Sequence, residues 1–190
     1  AQSLVERLVN EHPGSEVSRV DLAREVLPHL DADEFNSWTT PEDQRDEQQV
    51  ELASRSDALI DQLMSHDILV LAVPMYNLGI PSTLKAWIDR VSRAGKTFRY
   101  GSNGPEGLVM DMQAYLVFAR GGIYRGTPLD TQTGYLTSVL GLMGIEAVET
   151  IFAEGLNMGE ENRQNSLDEA MARVERLVQG THVEAEYAAA

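Results

Sequence analysis

The run Val73-Pro74-Met75-Tyr76-Asn77-Leu78-Gly79-Ile80-Pro81-Ser82-Thr83-Leu84-Lys85 marks the end of an almost wholly apolar segment and the start of a helix. Its apolar lead, Asp67-Ile68-Leu69-Val70-Leu71-Ala72-Val73, is what a central parallel strand covered on both faces requires. After it, Ser82 to Arg93 sets Leu84, Trp87, Ile88 and Val91 on one helical face, with Gly95 placed to end the helix in a left-handed conformation. A strand, a polar turn and a helix in that order form the unit of an open α/β sheet. In such sheets ligands sit in the crevice outside the carboxyl ends of the strands.

Working outward, the same alternation recurs. Ala1 to Glu11 carries Leu4, Val5, Leu8 and Val9 at helical spacing, and His12-Pro13-Gly14-Ser15 stops it. Val17 to Leu22 alternates like a half-exposed strand near a sheet edge. A long connection from Ala23 to Thr40 contains Pro28, Asp31, Asp33 and Asn36, and its length suggests that it covers a site. Thr40-Pro41-Glu42-Asp43 reads as a helix start, and that helix runs towards His66. Thr97 to Gly107 reads as a loop bearing aromatics. Gln113 to Ala119 is a second apolar strand ending at Arg120-Gly121-Gly122, and Leu129 to Met143 is a helix closed by Gly144. Val148 to Ala153 is a further strand, and Asn165 to Val178 is a last amphipathic helix.

This order predicts one α/β domain over residues 1–190, a doubly wound parallel sheet with helices on both faces. The flavodoxin-like version has strand order 2-1-3-4-5, yet the chain opens on the helix that normally follows the first strand. The central strand and the loop after it are therefore expected to lie outside this sequence.

Composition narrows the function. Hydrophobic residues make up 43% and charged residues 24%, which is globular. A net charge of −15 argues against a nucleic-acid partner, since phosphates would be repelled over most of the surface. No run reaches the ~20 apolar residues of a bilayer span, and no signal pattern opens the chain, so the expectation is a cytoplasmic protein without a membrane partner. Without cysteine there is no disulfide, thiolate nucleophile or iron–sulfur ligand. His12, His29, His66 and His182 fall at helix ends or in loops without ligand spacing, so no metal site is assigned.

Three strand ends carry the chemistry: Met75-Tyr76-Asn77-Leu78, Arg120-Gly121-Gly122 and Phe152-Ala153-Glu154-Gly155. Adjacent glycines let backbone approach a planar ligand closely, and Asn77 offers both a donor and an acceptor. Together they suit a nucleotide or flavin in an α/β sheet. Each alone has a plainer reading, Gly121-Gly122 as a turn and Tyr76 or Phe152 as core packing.

Pro74 to Lys85, Arg93-Ala94-Gly95-Lys96-Thr97-Phe98-Arg99-Tyr100, Asn103-Gly104-Pro105-Glu106-Gly107-Leu108 and Arg120-Gly121-Gly122-Ile123 resemble the FMN-dependent NADH-azoreductases, flavodoxin-like quinone and azo reductases. The resemblance implies a homodimer holding FMN at its interface. It implies hydride transfer from NADH or NADPH to the flavin and reduction of a quinone or azo compound in a ping-pong sequence. It places the flavin against Met75, Tyr76, Asn77, Leu78, Ala119, Arg120, Gly121 and Gly122, and the substrate space beside Tyr100 and Phe152, with no catalytic side chain required. Ala119 stands where the family commonly has serine and Leu78 where it commonly has phenylalanine. The family's phosphate loop has no counterpart here, since Gln2-Ser3 falls inside the first helix. The competing expectation is a flavodoxin-like module that binds FMN or carries electrons without substrate turnover.

Overall fold

The computed structural model describes residues 1–188, with side chains described through residue 179; the side chain of His182 lies outside the described residues. Helices α1 (Gln2–Glu11), α2 (Ala32–Thr39), α3 (Glu47–Met64), α4 (Ser82–Val91), α5 (Thr133–Met143) and α6 (Glu160–Ala188) surround strands β1 (Ile68–Pro74), β4 (Gln113–Ala119) and β5 (Ala147–Ala153). The three strands form one parallel sheet in the order β1-β4-β5. Register is fixed from end to end, Ile68 opposite Gln113 and Gln113 opposite Ala147 at one end, Pro74 opposite Ala119 and Ala119 opposite Ala153 at the other. All three carboxyl ends thus reach one edge.

Apolar layers lie on both faces, as the continuous hydrophobic strands demand. One face packs Leu71, Val73, Leu116 and Phe118 against Leu84, Trp87, Ile88, Leu136 and Leu140 of α4 and α5. The other packs Tyr115 and Ile151 against Leu4 and Leu8 of α1 and Val174 and Val178 of α6.

Several local expectations are corrected. Val17 to Leu22 is not a strand: it has no ladder partner, and Val17 and Val20 are exposed. Its alternation has a physical counterpart all the same. Residues 15–23, the edge of β1 and Val5, Leu8, Leu59 and Leu63 all line a largely apolar groove of about 650 Å³. The groove runs along the edge of β1 that has no strand partner among the described residues. That is where a 2-1-3-4-5 sheet has its first strand.

The long connection contains a helix, α2, capped by Asp31, whose carboxylate accepts from the Glu34 amide. Thr40 ends that helix, and α3 starts later than expected, at Asp46 and Gln49, whose reciprocal capping box satisfies two free amides. Only a short 3₁₀ turn, Glu42–Gln44, forms after Pro41. The aromatic loop is a hairpin, β2 (Phe98–Gly101) with β3 (Gly104–Gly107), turning on Gly104 at φ +119°. Helix α5 begins at Thr133, not at Leu129. Among the described residues, no helix is long and apolar enough to cross a membrane.

Candidate active site

The turn after β1 is closed by two hydrogen bonds, Tyr76 N–H to Gly79 C=O (3.0 Å) and Gly79 N–H to Tyr76 C=O (2.9 Å). Its two central residues, Asn77 (φ +48°) and Leu78 (φ +67°), are both left-handed. Asparagine tolerates that region; for leucine it costs on the order of 1–2 kcal/mol. Tyr76 is 63% exposed, which rules out the core-packing reading of this tyrosine. The Asn77 side chain is exposed and has no partner among the described residues.

The turn after β4 is built differently. The carbonyls of Arg120, Gly121 and Gly122 accept from the amides of Leu156 (3.1 Å), Asn157 (3.0 Å) and Gly155 (2.9 Å), which binds this loop to the one after β5. A Cβ on Gly121 would stand 2.7 Å from the Asn157 side chain, and one on Gly122 would stand 2.9 Å from the Tyr124 ring and hydroxyl. A side chain at either glycine would therefore have to displace the tip of a neighbouring side chain. Their own N–H groups find no acceptor among the described residues, and neither do those of Asn77 and Leu78. Four free amides on two adjacent loops suit the carbonyl oxygens and ring nitrogens of a flat heterocycle.

Arg120, expected against the cofactor, is turned inward. It is 1% exposed, donates from Nη1 to Glu154 (2.9 Å) and from Nη2 to Asp130 (2.8 Å) and Thr133 (3.0 Å), and from Nε to Gln132 (3.1 Å). Its guanidinium also stacks on the rings of Phe118 and Phe152. The cation holds the loops rather than facing a ligand. Glu154 accepts in addition from the amides of Tyr124 and Arg125 (3.0 Å each), which fixes the segment after Gly122. Burial alone would raise the Asp130 carboxyl, but the Arg120 guanidinium and the Thr133 amide and hydroxyl outweigh it and hold that carboxyl below its usual range.

Met75, Tyr76, Asn77, Leu78, Ala119, Arg120, Gly121 and Gly122 are thus brought to one sheet edge, with Phe152 on the next strand. The Phe152 ring is half-buried, stacks on Phe118 at 5.0 Å and carries Arg125 over it at 4.8 Å. Tyr100 is not brought there. Its hairpin lies between the C-terminal end of α4 and the start of β4, and the amides of Leu108 and Val109 bond the Met143 carbonyl at the C-terminal end of α5. The turn of residues 76–79 leads into the N-terminus of α4, about 15 Å away at the usual helical rise. Tyr100 is 76% exposed at that opposite end, its ring set edge-on against Phe98.

Sequence reasoning missed Gln132 and Asp130, and quoted Glu154 at its strand end without giving its carboxylate a part. Gln132 is fully buried and bonds both loops. A signal was present in Asp130-x-x-Thr133, where the Asp130 side chain accepts from the Thr133 amide at 3.1 Å as a residue ahead of a helix does. Starting that helix at Leu129 hid it.

Comparison with known proteins agrees with this geometry. The family described as a flavodoxin-like fold matches residues 1–178. The chain is 49% identical over 166 residues to the FMN-dependent NADH:quinone oxidoreductase of Azotobacter vinelandii, covering 87% of this chain and 83% of that protein. It is 44% identical over 176 residues to an FMN-dependent NADH:quinone oxidoreductase of Pseudomonas fluorescens, covering 93% and 88%. Among solved structures, an azoreductase from Bacillus anthracis superposes with a TM-score of 0.83 at 30% identity, covering 94% of this chain and 86% of that one. With its sheet, its paired turns and these relatives, the chain belongs to the family of FMN-dependent NADH:quinone oxidoreductases, on the flavodoxin-like fold.

Proposed function

We propose that this protein is an FMN-dependent oxidoreductase that takes electrons from NADH and delivers them to quinones, with azo compounds as further acceptors. The observation that carries the reading is the pairing of two loops with free amides at the carboxyl ends of β1 and β4, in a chain 49% identical to a named NADH:quinone oxidoreductase. When bound, FMN supplies two-electron redox chemistry. The chain's part is to hold and orient: the Gly121 and Gly122 amides and the Asn77 side chain offer hydrogen bonds to the edge of the ring, and Tyr76 and Leu78 flank it. Arg120 acts behind them, keeping the glycine loop in place.

The acceptor space is completed by a second copy. Tyr100 stands at the far end of α4 from its own turn of residues 76–79, so it lines such a space only if its hairpin reaches across to another protomer. This supports a homodimer. The acidic chain, with no membrane-crossing helix among the described residues, is read as acting in the cytoplasm.

The test is direct. Full-length protein purified from cells is expected to be yellow with FMN, to bleach with NADH under anaerobic conditions and to recover its colour when a quinone is added. A colourless protein that takes up no added FMN and does not oxidise NADH with a quinone present overturns the reading.

A further inference from the structure

From the hydrogen bonds of one buried amide we infer that Gln132 is a positioning residue of this enzyme, a clamp that holds the strained turn of residues 76–79 in the shape that presents it to FMN and ties it to Arg120. The inference rests on the flavin reading of this edge. Gln132 is fully buried immediately before α5. Its Nε2 donates to the carbonyls of Pro74 (3.0 Å) and Gly79 (3.1 Å), and its Oε1 accepts from Arg120 Nε (3.1 Å). One side chain therefore grips the last residue of β1, the last residue of the turn and the cation behind the glycine loop. Next to it, the Thr131 hydroxyl donates to the Leu78 carbonyl.

The need for a clamp follows from the backbone. Leu78 at φ +67° follows Asn77 at φ +48°, and a left-handed leucine persists only where its surroundings hold it. The two hydrogen bonds between Tyr76 and Gly79 close the turn without anchoring it to the body of the protein. Gln132 and Thr131 supply that anchor, on two carbonyls of the strained segment. Through Oε1 the same side chain couples the two loops, adding to the β1–β4 ladder and to the Met75 N–H bond on the Ala119 carbonyl a side-chain link between the Asn77 turn and Arg120.

The experiment compares the wild-type protein with Gln132→Met, Thr131→Val, Leu78→Gly and the double variant Gln132→Met/Leu78→Gly. Methionine keeps the volume and removes all three hydrogen bonds. Exchange of the hydrogen-bonded amides of Met75, Tyr76 and Gly79 in the FMN-free protein reads the clamp itself: in Gln132→Met they are expected to exchange at least tenfold faster. FMN titration and the visible band of bound flavin read its consequence, an affinity about ten- to a hundredfold weaker with a shifted band. Leu78→Gly gives up the side chain that flanks the ring and so sets its own baseline, but glycine carries φ +67° without strain. Gln132→Met is therefore expected to cost less affinity in the Leu78→Gly background than in the wild type, which a merely damaged core would not do. Should Gln132→Met fail to fold, Thr131→Val at its exposed site is expected to show smaller changes of the same sign. Wild-type exchange, affinity and band in Gln132→Met, or in Thr131→Val where that variant stands in, overturn the clamp, and so does a Gln132→Met affinity loss that is as large in the Leu78→Gly background as in the wild type. A wild-type protein that binds no FMN overturns the flavin reading instead, and the exchange measurement still decides the clamp.

Discussion

Asn77 carries a polar, exposed side chain in the turn, and its left-handed backbone lets the contribution of that side chain be isolated. Alanine at φ +48° would add strain to the loss of the amide, whereas glycine removes the amide and leaves the backbone at ease. Asn77→Gly is therefore expected to weaken FMN binding about tenfold, the worth of roughly one hydrogen bond, with the melting temperature of the apoprotein unchanged or slightly raised. Equal FMN affinity in the two proteins would show that the side chain makes no cofactor contact. Asp130 gives a second measurement at this scale. Its folded-state pKa is depressed, so its contribution to stability is fully present above the unfolded value near 3.9 and is lost as pH falls through the folded value. Urea midpoints taken between pH 6 and pH 2.5 should fall more steeply in the wild type than in Asp130→Asn below about pH 4, and parallel curves would remove Asp130 as a contributor. Gln132 was illegible in the sequence for a related reason. A glutamine bonding two carbonyls and a guanidinium reports distances between loops far apart in the chain, and no periodicity encodes them.

Helix α2 is held to the body by charge rather than by apolar area. Glu34 and Arg90 are both almost fully buried and form a bidentate pair, Nε to Oε1 at 2.7 Å and Nη2 to Oε2 at 2.5 Å, while Arg90 Nη1 also donates to the Pro28 and Ala86 carbonyls. Glu34→Ala leaves that guanidinium buried and uncompensated, and the expected loss is about 3–5 kcal/mol by urea unfolding, together with faster proteolysis within residues 23–46. Replacing both partners by leucine and methionine should recover much of it, and a double variant as unstable as Glu34→Ala would show that packing rather than charge holds the helix. Elements of this kind divide the legible from the illegible. Strands β1, β4 and β5 were plain because continuous apolar runs have few other uses. The start of α3 was misread because Pro41 with two acids imitates a cap that Asp46 and Gln49 actually provide. The hairpin at 98–107 was read as a loop because Pro105 and its glycines mask a ladder of four residue pairs. Residues 17–22 carry a strand's alternation without a strand's partner, and pairing is a property of the neighbour.

At the scale of the whole molecule, the position of Tyr100 turns an oligomeric state into a statement about catalysis. The hairpin lies at the end of the sheet opposite to the paired loops, so in the dimer we propose, each acceptor space would combine the amides of one copy with the tyrosine of the other. Two defective proteins test this arrangement. Tyr100→Ala leaves the flavin loops intact and is expected to raise the quinone KM several-fold while FMN affinity stays as in the wild type. Gly122→Val keeps Tyr100 and is expected to bind FMN poorly, because its side chain would displace the Tyr124 ring, whose end lies 2.9 Å from the Cβ position, and crowd the free Gly122 amide. Neither homodimer contains a complete site. If the subunits are mixed, exchanged and allowed to pair at random, half the dimers are mixed and each holds one complete site, so quinone reduction at low substrate should reach about a quarter of the wild-type rate per subunit plus about a quarter of the Tyr100→Ala rate, against half the Tyr100→Ala rate before exchange. Were Tyr100 to act within its own chain, every site in the mixed dimer would lack either the tyrosine or the cofactor. Mixing would then yield only the average of the two defective proteins, and the hairpin would have to be assigned a purely structural part.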